Sequence, residues 1–346
     1  TKANAANGHI SIGGIEINSG GGDITFTSDA GLTLGAGGTF NSGVGNILAT
    51  IDDTIQLGGS TNISSTTGTI GLTSTLQSIT TAANTSITSS SAAISLNANQ
   101  AITMVDTSSI NSGSASLALT TTNGDVTLTG LVSTKTASSN VITVSSGGSI
   151  LDGGDTNIDL SAVNGDITLT ADTGIVNLEI NGAEGNFTNT VSGNIVINES
   201  DDIEIQTINA VADFELNSLG SIDLITGALT SVQRLDLDAS DNLVIPNAGI
   251  NIGSGATQIL NLRGSDIYNK DLSRPLTLTA ESLSFTSSLT GGDTTITSNV
   301  ANLSVVKSSI NTITVNEADA LVVLLASMNN GTININSGAG SDLTLS

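Results

Sequence analysis

The chain is 346 residues long and carries 31 acidic against 7 basic residues, a formal net charge of −24. Aromatic residues are 2%, charged residues 11%, and cysteine and tryptophan are absent. This balance argues against a nucleic-acid surface, which needs a basic patch, rules out disulfides, thiolate metal sites and cysteine catalysis, and leaves Ile, Leu and Val to fill the core in place of large rings.

The chain opens Thr1-Lys2-Ala3-Asn4, without a methionine or an apolar leader. No stretch approaches the ~20 apolar residues of a membrane span. A mature or excised piece of a longer protein is the expectation. Hydrophobic content of 38%, rich in β-branched residues, argues against disorder. The 39 glycines suit a chain that turns every few residues.

Along the chain a short phrase recurs: Gly-Asp, then aliphatic-Thr-aliphatic-Thr. It stands at Gly22–Thr27, Gly124–Thr129 and Gly165–Thr170. Each copy has the period of a short strand with one apolar and one polar face. Looser copies form three series. One runs Ile47, Ile70, Ile94, Leu117, Ile142, Ile167, Ile195, Phe214, Leu235, Leu260. A second, about eight residues later, runs Ile55, Ile79, Ile102, Val126, Ile150, Ile175, Ile203, Ile222, Leu243. A third, less regular, includes Ile63, Ile87, Ile110, Ile158, Ile208 and Ile250. Steps within a series run from about 19 to 28 residues. Recurrence of this kind predicts a solenoid. Three strands per coil predict an all-β fold, a three-faced parallel β-helix spanning 1–346 as one domain. About fourteen coils at ~4.8 Å each would make a rod of roughly 65 Å. A single coil cannot bury its aliphatic residues, and only stacking can.

Two stretches interrupt the rhythm. Residues 263–275 hold the only tyrosine, Tyr268, with Lys270, Arg274 and Pro275, and predict a loop excursion. Residues 317–328 include Leu321-Val322-Val323-Leu324-Leu325, where alternation fails. An irregular apolar strand or a short helix is expected there, with Leu321, Val323 and Leu325 as a contact surface or under an intramolecular cover. Pro246 lies near a corner and ends a strand.

The Gly-Asp-Ile-Thr-Leu phrase, the coil length, the lack of cysteine and the Asn/Ser/Thr/Gly richness together resemble the filamentous-haemagglutinin type of bacterial exoprotein. The same style occurs in autotransporter passengers and other large surface adhesins. The resemblance covers nearly the whole chain and implies a right-handed β-helix, secretion to the cell surface, and adhesive or scaffolding work. The chain has no counterpart of the secretion domain of two-partner-secreted members and no Arg-Gly-Asp tripeptide.

The densest acidic segment runs from Glu199 to Asp241, with Arg234 its only base. The coil register stacks Glu204 under Asp223, Glu215 under Asp236 and Asn217 under Asp238, all facing outward. Stacked like charges are destabilising. Either the face is solvated and screened by salt, or Ca²⁺ bridges the carboxylates weakly. No other cofactor is expected. Gly338–Asp342 resembles one copy of the Gly- and Asp-rich calcium-binding nonapeptide, but that motif needs tandem copies, so a corner is the expectation. Outward Thr-aliphatic-Thr pairs raise ice binding, yet Thr127 and Thr168 fall on different faces. A polysaccharide lyase or hydrolase would draw on Arg263, Tyr268, Lys270 and Arg274 with Asp266 and Asp271. His9 is a poor general base, and aromatic sugar platforms are scarce.

The expectation is therefore a non-enzymatic extracellular structural protein, a solenoid extending a cell-surface fibre, sheath or adhesin stalk. It would self-associate end to end or laterally, without nucleic acid or membrane insertion. The alternatives are a cell- or matrix-binding adhesin module that takes glycans or proteins through a loop such as 263–275, and a carbohydrate-active β-helix enzyme.

Overall fold

In the strand Ile24–Ser28, Ile24 and Phe26 are buried while Thr25 and Thr27 face outward. The same alternation repeats in Ile47–Ile51 and Ile70–Ser74. In the computed structural model these strands are parallel and stack into a right-handed β-solenoid of about 14 turns. The structure describes residues 1–134, 140–225, 229–230, 232–253, 257–288, 293–307, 311–329, 331–338 and 342–345. The chain divides into two compact units, Thr1–Glu184 and Gly185–Ser346.

In the first unit the three expected columns are in register. The first face stacks Ile24, Ile47, Ile70, Ile94, Leu117, Ile142 and Ile167. The second stacks Ile10, Leu32, Ile55, Ile79, Ile102, Val126, Ile150 and Ile175. The third stacks Ile17, Phe40, Ile63, Ile87, Ile110, Val132 and Leu160. Ile158, expected in this third column, is instead exposed, and Leu160 takes its place. Burial of each Ile or Leu side chain contributes roughly 1.5–3 kcal/mol, and stacking supplies that burial at every turn. Phe26 and Phe40 meet edge to face across the bore, ring centres 6.0 Å apart at 81°.

The Asp of the recurring phrase clamps the corners. Asp23 Oδ1 accepts the Asn46 N–H of the next turn at 2.8 Å, and Asp125 Oδ1 accepts the Ser149 N–H at 2.7 Å. Asn46 Oδ1 repeats the bond to the Thr69 N–H at 2.9 Å. These bonds satisfy backbone donors where the ladder is interrupted. A Cβ on Gly45 would fall 2.5 Å from the Gly22 carbonyl carbon, so the stacked corners require glycine there. A second corner stacks left-handed residues: Gly37, Ser60, Asn84 and Thr107, with φ of 75, 59, 60 and 65°.

In the second unit the first face stacks Ile195, Phe214, Leu235, Leu260, Leu283, Leu303 and Val323. Among the described residues the second face runs Ile203, Ile222, Leu243 and Ile267. The strand Asp266–Asn269 pairs with Asn242–Ile245 and with no later strand among the described residues. A separate five-stranded sheet continues the third side through Ile250–Asn251, Leu276–Thr279, Thr294–Asn299, Thr312–Glu317 and Thr332–Asn336. From Ser282 onward each turn therefore shows two described strands in place of three.

The expected excursion over 263–275 is narrower than the sequence suggested. Residues Ile259–Gly264 and Asp266–Asn269 are strands, and the loop is confined to 270–275. Over 317–328 the outcome is a strand, Leu321–Met328, and not a helix. Its register slips where Leu303 faces Val323 but Ser304 faces Leu325, which leaves Leu324 as the extra residue of a bulge. Of Gly338–Asp342, residues 339–341 lie outside the described residues. Among the described residues no helix is long and apolar enough to cross a membrane.

Candidate functional site

Beside the strand Asp266–Asn269 lies a groove of about 460 Å³ in the second unit. Asp266, Ile267, Tyr268 and Asn269 form one wall, Leu272, Arg274 and Leu276 another, and Asp293, Thr294 and Thr295 the third. Tyr268 alternates outward between buried Ile267 and Asn269. The 270–275 loop is held by Asp271, whose Oδ1 accepts the Ser273 N–H at 3.1 Å and its hydroxyl at 2.6 Å. Asp271 Oδ2 accepts from Arg274 Nε at 3.0 Å, and these bonds hold the Asp271 carboxyl below its usual range, the serine contributing most. Asn269 Nδ2 donates to the Pro275 carbonyl at 3.2 Å and closes the loop base. Leu272, at the loop tip, is 79% exposed.

Beneath the groove lies Lys307. In the first-face ladder it stands next to Ser287, in a place where a small residue would be expected at the strand end, and it is 1% exposed. Its ammonium donates to Thr294 Oγ1 at 3.1 Å. Burial lowers its pKa from the usual lysine value, while the charges of Asp266 and Asp293 draw it back up. Asp293 also clamps the next turn, accepting the Thr312 N–H at 2.8 Å. Thus Thr294 and Asp293, which line the groove, are held by bonds to Lys307 and to the Thr312 backbone. The sequence had pointed to Tyr268 and Arg274, which line the groove, and to Lys270, which does not. Lys307 was missed because nothing local marks it, and a lysine at a strand end reads as surface.

The acidic face stacks as its register implied: Glu204 with Asp223, Glu215 with Asp236, and Asn217 with Asp238. One base of the same strand and two from later turns pair with it. Arg234 Nη2 lies 2.5 Å from Asp236 Oδ2, Arg263 Nη1 lies 3.0 Å from Asp238 Oδ2, and Lys270 Nζ lies 2.9 Å from Asp223 Oδ2. Amides fill in: Asn217 Nδ2 donates to Glu215 Oε1 at 3.1 Å, Gln206 Nε2 to Glu204 Oε1 at 2.6 Å, and Asn261 to Asp236. A shallow cleft of about 340 Å³ lies over this ladder. Arg234 is the only base within the segment, and Arg263 and Lys270 from outside it fold onto its carboxylates.

In the first unit Asp152, Asp159 and Glu179 bring one carboxylate oxygen each within 4.8 Å of the others, a spacing that would fit a cation. Asp159 is 1% exposed. Its carboxyl is pushed up to about 8, chiefly by burial, against the Glu179 backbone N–H that accommodates its charge, with Asp152, Glu179 and Asp155 adding repulsion. The sequence signal was the crowding of Asp152, Asp155 and Asp159 where the third series loses its rhythm.

Of the expected contact residues, Leu321 and Val323 are buried at 1% and 4%, so they belong to the core and not to a surface. Leu325 and the bulge residue Leu324 are exposed. His9 Nε2 lies 2.9 Å from Thr33 Oγ1 on the next turn. Thr127 and Thr168 lie on the second and first faces respectively. Comparison with protein-family models, with curated proteins and with solved structures finds no match.

Proposed function

We propose that the chain is a non-enzymatic structural solenoid of the filamentous-haemagglutinin style, which extends a fibre, sheath or adhesin stalk at the cell surface. The observation that carries this is the register of the aliphatic columns, continuous on all three faces of the first unit and along the first face of the second, with corners clamped by aspartates such as Asp23 and Asp202. Such a ladder resists bending and extension because every turn pairs its backbone with two neighbours. The net charge of −24 opposes indiscriminate lateral contact. Exposed Leu324 and Leu325 offer an apolar point of self-association. Negative-stain imaging of the purified chain tests it. Filaments or uniform rods are expected, and globular particles at every concentration would overturn it.

A second reading is favoured by the groove beside Tyr268: an adhesin module that meets a cell-surface or matrix component through this part of the second unit. Binding of the chain to cells or matrix, lost on changing groove residues, is the expected result.

A further inference from the structure

Resting on that second reading, we propose that the groove between the Asp266–Asn269 strand, the 270–275 loop and Asp293–Thr295 binds an uncharged oligosaccharide. Three features of the lining converge on this ligand class.

The first is an apolar wall beside polar ones. Tyr268 and the exposed Leu272 offer surface suited to the C–H face of a pyranose ring. Asp266, Asp293, Thr294 and Thr295 offer acceptors and hydroxyl partners for its equatorial oxygens. A ligand with one apolar face and a rim of hydroxyls satisfies both walls at once.

The second is charge. Asp266 and Asp293 line the groove, and Arg274 lines it while bound to Asp271. Lys307 is buried behind Thr294, under the influence of the same two aspartates. The two cations offset the two lining carboxylates, and Asp271 adds a further negative charge. An anionic sugar would therefore meet carboxylates without a free cation to receive it, and a cationic ligand would compete with Arg274 and Lys307. An uncharged ligand meets neither penalty.

The third is preorganisation. Arg274 is fixed by Asp271, Thr294 by Lys307, and Asp293 by the Thr312 N–H. Side chains already held in place have less entropy to lose on binding. The buried lysine also has a reason to be there: it supports the polar wall at Thr294.

The molecule supplies its own reporter. Tyr268 is the only tyrosine and tryptophan is absent, so the tyrosine fluorescence of the intact chain comes from this groove. The test screens the full chain against gluco-, manno- and galacto-oligosaccharides and against uronic-acid oligomers of the same length. Binders are then titrated while the Tyr268 emission is read. The expected result is a saturable emission change with an uncharged oligosaccharide. Affinity, read by calorimetry because Tyr268→Ala has no tyrosine emission, should fall about 10-fold in that variant, the loss of one aromatic contact, and should fall in Asp266→Asn, with the melting temperature kept within the wild-type range. Val44→Ser, at an exposed site in the first unit, should change nothing. If a variant fails to fold, the wild-type emission titration still decides the matter. Binding only to uronic-acid oligomers or to peptides overturns the assignment, as does oligosaccharide binding that leaves Tyr268 emission unmoved. If the chain adheres to cells or matrix without any change at Tyr268, the adhesive reading stands and the groove assignment falls. If it adheres to nothing and no oligosaccharide moves Tyr268 emission, both fall.

Discussion

Lys270 Nζ reaches Asp223 Oδ2 at 2.9 Å across 47 residues of sequence, because Asp223, Val244 and Tyr268 stack on successive turns of the second face. The contact is one of three ion pairs that offset the stacked carboxylates of the acidic ladder. Its hydrogen bond raises the Lys270 pKa above the ordinary value. Both partners are partly exposed, at 47% and 30%, so the pair is screened and weak. Lys270→Ala is expected to lower stability by less than about 1 kcal/mol. Because Asp223, Asp236 and Asp238 each have a protein cation, thermal melts with calcium and with a chelator should coincide. A large calcium-dependent rise in melting temperature would show that the ion pairs do not suffice.

Asp159 makes stability depend on pH in a direction opposite to that of most carboxylates. Its folded pKa, about 8, lies above the ordinary 3.8, so the folded chain holds a proton that the unfolded chain releases. The stabilisation is fully present below about pH 4, declines as pH rises, and is lost above about 8. Melting temperature should therefore fall between pH 5 and 8 and flatten beyond. In Asp159→Asn the amide keeps an acceptor for the Glu179 N–H and offers donors to Asp152 and Glu179. This variant should melt higher than wild type at pH 8 and show a flatter profile. An unchanged slope in a pH series of melts would refute the assignment.

Corner substitutions should move stability in opposite directions. Gly45→Ala places a methyl against the Gly22 backbone and is expected to cost several kcal/mol, on the order of 3. Ser60 already has a side chain in the left-handed region, at φ 59°. Ser60→Gly relieves that strain and should stabilise by about 0.5 kcal/mol once glycine's extra chain entropy is deducted. Denaturant titration of the two variants reads both signs.

The bulge separates two leucine roles within one strand. Leu321→Ala should cost about 2–5 kcal/mol, as a buried truncation does. Leu324→Ser with Leu325→Ser should change stability by less than about 0.5 kcal/mol. If the exposed pair supports self-association, the double variant should also reduce oligomers in sedimentation runs. A destabilised double variant would show that the pair is covered.

The repetitive part of the fold was open to inspection in the linear chain. Ile70 upon Ile47 follows from spacing alone, because a period-two pattern repeated at a steady interval has one good way to bury its apolar side. Ile158 was misplaced because Asp155 and Asp159 interrupt that interval, and near an irregular corner a candidate two residues away has equal local claim. Tyr268 and Arg274 stood out by type, whereas Lys307 did not.

What the residue order determined on its own was the solenoid: short alternating strands, Gly-Asp corners and too few large rings for any other core. What only the tertiary structure decided was where that regularity breaks and what the break creates. Among the described residues the second face ends at Asn269, Lys307 turns inward beneath Thr294, and Arg263 and Lys270 swing onto carboxylates of earlier turns. The physical reason is range. Burial patterns repeat locally and so are written into neighbouring residues, but a groove, a buried cation or a long-range ion pair depends on which turns happen to lie side by side.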